Sequence, residues 1–256
     1  ILTALQNDFR KSFFEGYATE VGLVLSELGL QIRKIHSWSS PIRAGGNLLD
    51  YRSTSNIYPE PLGQVLIISP WNYPFMLLMS PLASAISAGN TAVVKPSENA
   101  PATSAIIKKL LSENFPEELI CCIEGGRDEA EALLKLKFDF IFFTGSAEVG
   151  RKIMEAAAKN LSRVCLELGG KNPCIIDKTA SIDLACKRIV WGKFLNAGQT
   201  CVAPDYLLVD RRIASPVKEG LKKYILQFYG ENQELSKDFP RIINLSHYNR
   251  LKKMID

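Results

Sequence analysis

An α/β fold with a parallel sheet covered on both faces is predicted by three features of the chain. Short, continuously apolar runs recur from Gly63 onward: Gln64–Ile68, Thr91–Val94, Ile120–Ile123, Phe138–Phe143 and Val164–Leu166. Between successive runs lie segments of helical periodicity, each long enough for a crossover. The runs themselves lack the apolar–polar alternation of a half-solvated sheet, and strands buried on both faces read this way. Runs alternating with helices select layers of helix, sheet and helix.

Each element follows from local pattern. Residues 1–36 read as two helices, the second placing Val21, Val24, Leu25, Leu28, Ile32 and Ile35 on one stripe. From Ser37 to Pro61 the pattern breaks at Pro41, Gly45, Gly46, Pro59 and Pro61, giving a linker or extended arm with a strand candidate at 54–58. The first apolar run then leads through Ser69-Pro70-Trp71-Asn72-Tyr73-Pro74 into a helix from Phe75 to Ser87. The second leads through Lys95-Pro96-Ser97-Glu98 to a helix started by Pro101, with Ile106, Ile107, Leu110 and Leu111 on one face. A helix over Asp128–Leu136 separates the third run from the fourth. Thr144-Gly145-Ser146 opens the next helix, carrying Val149, Ile153, Ala156 and Ala157. After the fifth run come another apolar stretch, Asn172–Asp177, and a helix-like segment from Ser181 to Leu195. The chain opens without Met on what reads as the middle of a helix (Leu2, Leu5, Phe9, Phe13) and stops within another, so it is expected to be a piece of a longer protein.

Composition narrows the function classes. The net charge of +4 is small and its Lys and Arg are dispersed, which argues against a nucleic-acid surface. Arg250, Lys252 and Lys253 read as a solvated helix face. No apolar run reaches the length of a bilayer, and no signal peptide is visible. Cys121, Cys122, Cys165, Cys174, Cys186 and Cys201 form no CxxC pair, and His36 and His247 are the only imidazoles, so no zinc site is expected. The first five fall within apolar patterns, where a reduced, buried thiol is the default; this usage predicts a reducing, cytoplasmic setting. Cys201 differs in following a Gly-containing loop.

In parallel sheets, ligands bind beyond the carboxyl ends of the strands. That rule selects the loops 69–72, 95–98, 144–146 and 167–170, which are small and polar as a dinucleotide pocket requires. Gly145 and Ser146 at a helix start can offer backbone N–H groups and the positive dipole end to a phosphate. Lys95 and Glu98 can bond ribose hydroxyls. The plain alternative for any single loop is Ser146 as a helix cap and Lys95 as a solvated charge; four such loops on one edge argue for a ligand. No G-x-G-x-x-G is present. The run from Gly145 to Lys152 misses a P-loop, with Arg151 where its Lys belongs and Lys152 where a Ser or Thr should hold Mg²⁺. Glu167 ends one strand-like run, and Cys201 follows the helix-like segment after it. A thiol and carboxylate meeting in one cleft support covalent catalysis, with the carboxylate as base for a thiol or a water.

Five motifs in register, Pro70-Trp71-Asn72-Tyr73-Pro74, Lys95-Pro96-Ser97-Glu98, Phe143-Thr144-Gly145-Ser146 with Val149-Gly150, Glu167-Leu168-Gly169-Gly170-Lys171 and Gly198-Gln199-Thr200-Cys201, resemble those of the aldehyde dehydrogenase superfamily. The wording Cys201-Val202-Ala203-Pro204-Asp205-Tyr206 and the turn Glu124-Gly125-Gly126 are most similar to its class-3, fatty-aldehyde branch.

The resemblance implies a Rossmann-like parallel-sheet cofactor domain at 63–168, preceded by N-terminal helices and an arm at 1–62. The first part of a second α/β catalytic domain would follow at 169–256. It implies Cys201 as the nucleophile that forms a thiohemiacetal and then a thioester. Asn72 and the Cys201 N–H would make the oxyanion hole, and Glu167 would activate the hydrolytic water. NAD or NADP would be held by Ser69, Pro70, Trp71, Lys95, Ser97, Glu98, Thr144, Gly145, Ser146, Val149, Gly150, Leu168 and Gly169. The implied partners are a small aldehyde and a second copy of the full-length chain in a homodimer. Two other readings were weighed. One is an acylating, coenzyme A-dependent enzyme, against which a water-activating Glu167 argues. The other is a non-catalytic binding or structural relative, against which Cys201, Glu167 and Asn72 together argue.

Overall fold

The computed structural model describes residues 1–46, 49 and 51–256. The N-terminal segment forms α1 (Leu2–Phe9), a single turn α2 (Phe13–Gly16), a π-helical turn over Tyr17–Val21, and α3 (Gly22–Ser39). Sequence periodicity predicted two helices here. The extra break falls at Arg10, left-handed at φ 60°, and at Ser12, whose hydroxyl accepts the Glu15 N–H and caps α2. The predicted apolar stripe on α3 is also corrected. Val24 is buried together with Gln31, whereas Leu25, Leu28, Ile32 and Ile35 are exposed. The helix docks partly by polar contacts: the Gln31 amide donates to Ser84 Oγ at 3.1 Å and its carbonyl accepts from Ser87 Oγ at 2.6 Å. Strands β1 (Ile42–Ala44) and β2 (Ser55–Ile57) pair antiparallel, with Ile42 opposite Ile57. The arm expected over 37–61 includes residues 47, 48 and 50, which lie outside the described residues.

Strands β3 (Gln64–Ile68), β4 (Thr91–Lys95), β5 (Ile120–Cys122), β6 (Phe140–Gly145) and β7 (Arg163–Leu168) form a parallel sheet in the order β5-β4-β3-β6-β7. They alternate with α4 (Met76–Ser87), α5 (Pro101–Asn114), α6 (Arg127–Leu133) and α7 (Ala147–Lys159). The two faces of β3 show why its run is apolar throughout. Val65 and Ile67 pack with Leu78, Leu82, Ile107 and Leu111 from α4 and α5. Leu66 and Ile68 pack with Leu133, Ile153 and Ala157 from α6 and α7. Burying each such side chain contributes roughly 1.5–3 kcal/mol. The strand tips run further than the apolar runs predicted. β7 pairs Glu167 with Thr144 and Leu168 with Gly145, so these four residues belong to the ladder rather than to loops. On β7 the ladder continues past the point where burial stops, Glu167 and Leu168 being exposed, whereas Thr144 on β6 is still buried.

A second unit pairs β8 (Asn172–Ile176) with β9 (Pro204–Val209) in parallel. Behind them α8 (Ile182–Phe194) and α9 (Ala214–Tyr229) bury Cys186, Val190, Val217 and Tyr224 around Ile176. β9 was not among the expected strands. The last helix, α10 (Leu245–Ile255), begins at Asn244, whose side chain accepts the His247 N–H. Among the described residues every cysteine is free, and Cys186 alone is buried; Cys121, Cys122, Cys165 and Cys174 are only half-buried, since the strand edges carrying three of them are incompletely covered. No helix among the described residues is long and apolar enough to cross a membrane.

Candidate active site

The sheet order reverses between β3 and β6: the chain moves outward from β3 through β4 to β5, then crosses back to place β6 and β7 on the other side. A crevice at such a switch point, outside the strands' carboxyl ends, is where parallel α/β sheets hold ligands. A cleft of about 770 Å³ lies here. Pro70, Trp71 and Asn72 line it from the loop after β3, and Thr144, Gly145 and Ser146 from the β6–α7 junction. Glu167, Leu168 and Gly169 come from β7 and its exit, and Cys201 from the loop ahead of β9. Ten of the residues singled out from the sequence therefore meet in one place.

Six others do not line this cleft. Ser69 and Ser97 are buried, and Ser97 Oγ accepts the Asn99 N–H at 3.3 Å. The buried Lys95 ammonium donates to Gly125 O at 2.7 Å and Pro96 O at 3.2 Å, with the exposed Glu98 carboxylate 3.5 Å away. Val149 uses its N–H on the Ser146 hydroxyl, the cap of α7. Gly150 is where α7 crosses β7: a Cβ there would meet Leu168 Cδ2 at 2.9 Å, so its small size is a packing requirement.

Two hydroxyls at the strand tips stand out. Ser69 Oγ and Thr144 Oγ1 are buried without a hydrogen-bond partner in the protein, at the ends of β3 and β6 on either side of the reversal. Buried polar groups are rarely left unpaired, so a polar ligand or water at this point would satisfy them. The positive end of the α7 dipole faces the same region.

A second cavity, of about 530 Å³, opens from the same spot. It is apolar, running between α4 and the sheet along Leu77, Pro81, Val65, Ile67, Phe140 and Phe142. Leu77, Thr144, Glu167 and Cys201 line both cavities. The thiol and the carboxylate thus sit where a polar cleft meets an apolar groove. Both side chains are solvent-accessible rather than walled into the core.

The loop carrying Cys201 is tightly built. Asn196 and Ala197 are left-handed (φ 54° and 53°), and Gly198 follows at φ 76°, a turn that glycine adopts without cost. Asn72 Nδ2 donates to Gln199 O at 2.9 Å, which leaves the second N–H of that amide for other use. In return, Asn196 Nδ2 donates to Asn72 O at 2.7 Å. Gln199 spans to the chain ahead of α10, donating to Arg241 O and accepting the Ile243 N–H, each at 3.0 Å. Tyr73 and Thr200 share a hydroxyl–hydroxyl bond of 2.6 Å. Burial pushes the Tyr73 phenol up to about 12, so it stays neutral at ordinary pH. Asn172, first residue of β8, donates to Cys201 O at 2.7 Å and Ala203 O at 3.1 Å.

Several of these residues carried no sequence signal. The basic residues of α10 read as a solvated face. All three are exposed, and Arg250 in addition lines the cleft with His247, Leu251 and Met254. His247 packs against Trp71 with ring centroids 4.6 Å apart, and burial lowers its pKa, helped by nearby Arg250. Lys11, Glu15 and Glu20 were also passed over. All are buried, and Glu20 Oε2 accepts the Phe75 N–H at 2.9 Å just beyond the Asn72 loop. Only their position in space marks them.

The sequence profile of the aldehyde dehydrogenase family matches residues 13–256. The 4,4'-diaponeurosporen-aldehyde dehydrogenase of Staphylococcus aureus is 46% identical over 256 residues, all of this chain and 56% of that protein. The rat enzyme named "aldehyde dehydrogenase, dimeric NADP-preferring" is 44% identical over 253 residues, 99% of this chain and 56% of the relative. A solved structure, the substrate-bound state of Staphylococcus aureus AldH, superposes with a TM-score of 0.97 at 45% identity, covering 99% of this chain and 56% of that one. The chain spans about half the length of the relatives it matches.

Proposed function

The chain belongs to the aldehyde dehydrogenase family, and from that premise we propose that its protein oxidises an aldehyde to a carboxylic acid with NAD or NADP, using Cys201 as nucleophile. One observation carries this reading: a thiol and a carboxylate lie together at the junction of a polar cleft and an apolar groove. The apolar groove suits the tail of an aliphatic aldehyde, with its carbonyl carbon at the junction.

Each step falls to a residue of this chain. The Cys201 sulphur adds to the carbonyl, forming a thiohemiacetal, the covalent step for which a thiol is a strong nucleophile. The developing oxyanion takes the second N–H of Asn72 and the backbone N–H of Cys201. Bonding of Asn72 to Gln199 O fixes that amide before substrate arrives, and preorganised donors of this kind are worth about 2.7–4 kcal/mol of barrier. A nicotinamide bound in the cleft would supply a hydride acceptor, and Cys201 would hold the oxidised acyl group as a thioester. Glu167 takes a proton from the water that hydrolyses the thioester, returning the thiol.

The residues fit a dinucleotide. Ser69 and Thr144 hold two unpartnered buried hydroxyls at the strand tips, and Gly145 and Ser146 lead into the α7 N-terminus. Trp71, Leu168 and Gly169 flank the cleft. We assign Pro70 to its wall; Lys95, Ser97 and Glu98, in the loop after β4, and Val149 and Gly150, in the first turn of α7, would complete the cofactor site. In domain terms, 63–168 serves as the cofactor unit, 169–256 as the start of the catalytic unit, and 1–62 as the arm. Use of NADP as well as NAD, and assembly as a dimer, are in keeping with the name of the rat relative. Free cysteines among the described residues suit a reducing compartment such as the cytoplasm.

The test is Cys201→Ser assayed by NADH absorbance with a medium-chain aldehyde. Turnover is expected to vanish while NAD binding, followed by fluorescence quenching, persists, and wild-type turnover is expected not to need coenzyme A. Undiminished turnover in the variant would overturn the assignment.

A further inference from the structure

We propose that Glu15, on the N-terminal turn α2, is a positioning residue for Cys201, its carboxylate holding the left-handed turn that carries the thiol loop. Within this turn Asn196 and Ala197 both carry a Cβ in a left-handed conformation that is sterically unfavourable for L-residues. Such backbone persists only where the surroundings over-determine it. Glu15 Oε1 accepts the Asn196 N–H at 2.8 Å, across 181 residues of sequence. Asn196 is wholly buried and Glu15 nearly so, so water cannot replace this acceptor. The other bonds at the turn's first residue, from Asn196 Nδ2 to Asn72 O and Gln199 O and from the Gln199 backbone N–H and Nε2 to Asn196 O, tie the loop to itself and to the Asn72 loop. Glu15 ties it to a third element.

The same N-terminal segment holds the Asn72 loop. Lys11 Nζ bonds Glu20 Oε1 at 2.7 Å with both side chains fully buried, and the ammonium lies 4.6 Å from the Tyr73 ring centroid. Glu20 Oε2 takes the Phe75 N–H, and Tyr73 bonds Thr200, the residue before Cys201. One buried group of charges therefore grips both the loop with the oxyanion donor and the loop with the nucleophile, which sets their mutual placement. A shift of about 1 Å at a reacting centre is enough to cost on the order of a hundredfold in rate.

This role rests on Cys201 being the nucleophile of the proposed oxidation, and the experiment separates the two claims. Glu15→Ala and Glu15→Gln would be compared with wild type for NADH formation per Cys201 titrated by iodoacetamide, and for the Cys201 alkylation rate across pH, followed by peptide mapping. Loss of a hydrogen bond to a charged acceptor predicts a roughly ten- to hundredfold fall in turnover per titrated thiol for Ala, at little-changed aldehyde KM, with an altered alkylation profile. Gln keeps an oxygen acceptor and is expected to restore most of the loss. A smaller titratable fraction with turnover per thiol and alkylation rate unchanged would reduce Glu15 to a folding role and overturn the proposal. Should the Ala variant not fold, Glu15→Asp withdraws the carboxylate by one methylene; wild-type behaviour there would equally overturn it. If wild type forms no NADH from aldehydes, the oxidation reading fails, and the alkylation rates alone still decide the role of Glu15.

Discussion

Replacing Lys11 by Met tests how far the buried charge group supports the site. Lys11 and Glu20 are fully buried with a 2.7 Å contact, an attraction of about 6 kcal/mol at an effective dielectric constant near 20. Desolvation offsets much of that in the intact pair, so the pair itself contributes little net stability. Removing only the cation is different. Glu20 would stay buried, still accepting the Phe75 and Met76 N–H groups at 2.9 and 3.4 Å, with its nearest counter-ion gone. Breaking a buried pair this way costs about 3–5 kcal/mol, which for a chain of this size lowers the melting temperature by roughly 6–20 °C. Lys11→Met with Glu20→Gln should recover part of the loss, because Gln keeps an acceptor for Phe75 without a charge. Thermal and urea unfolding of both single variants and the double variant closes the cycle. A cost below about 1 kcal/mol for Lys11→Met, or strict additivity in the double variant, would refute the reasoning.

Other consequences follow from the geometry. With Asn72 as one of the two proposed oxyanion donors, Asn72→Ala should lower kcat about 10²–10³-fold while leaving the NAD Kd near wild type; an unchanged kcat would take Asn72 out of the oxyanion hole. Glu167→Gln should still form the thioester but hydrolyse it slowly, seen in stopped flow as a burst of NADH followed by a slow phase. A variant without a burst would move Glu167 to an earlier step. Burial raises the Glu15 pKa above 4.5, with Lys11 and the Asn196 N–H acting against it. A carboxyl whose folded pKa is raised binds its proton more tightly folded than unfolded, so its ionisation costs stability as pH rises through the raised value and costs nothing below 4.5. Glu15→Gln is therefore expected to melt above wild type near neutral pH, the difference closing as pH falls. A difference independent of pH would contradict this. Stability given up at a site that orders a reactive loop is a common exchange.

Periodicity and composition were sufficient for the sheet, its crossovers and the loops at its carboxyl edge, because each depends on neighbours within a few turns of chain. The runs at Gln64–Ile68 and Thr91–Val94 became β3 and β4 with at most one residue's difference. Motif spacing was sufficient to single out Asn72, Glu167 and Cys201, which the fold brings to one cleft. Burial on α3 was not legible, since the docked face buries Val24 together with the polar Gln31 and leaves most of the apolar stripe exposed. Nor was the α10 contribution, where Arg250 looks in sequence like its solvated neighbours Lys252 and Lys253. Glu15 and Asn196 lie 181 positions apart, and hydrogen bonds of that span leave no periodic trace. Sequence by itself determined the candidate reactive groups and the five strands of the parallel sheet, since residue chemistry and local pattern carry that information. Tertiary structure alone decided that an N-terminal carboxylate props the loop of a distant thiol, because a buried donor takes whichever acceptor the packed chain brings within reach.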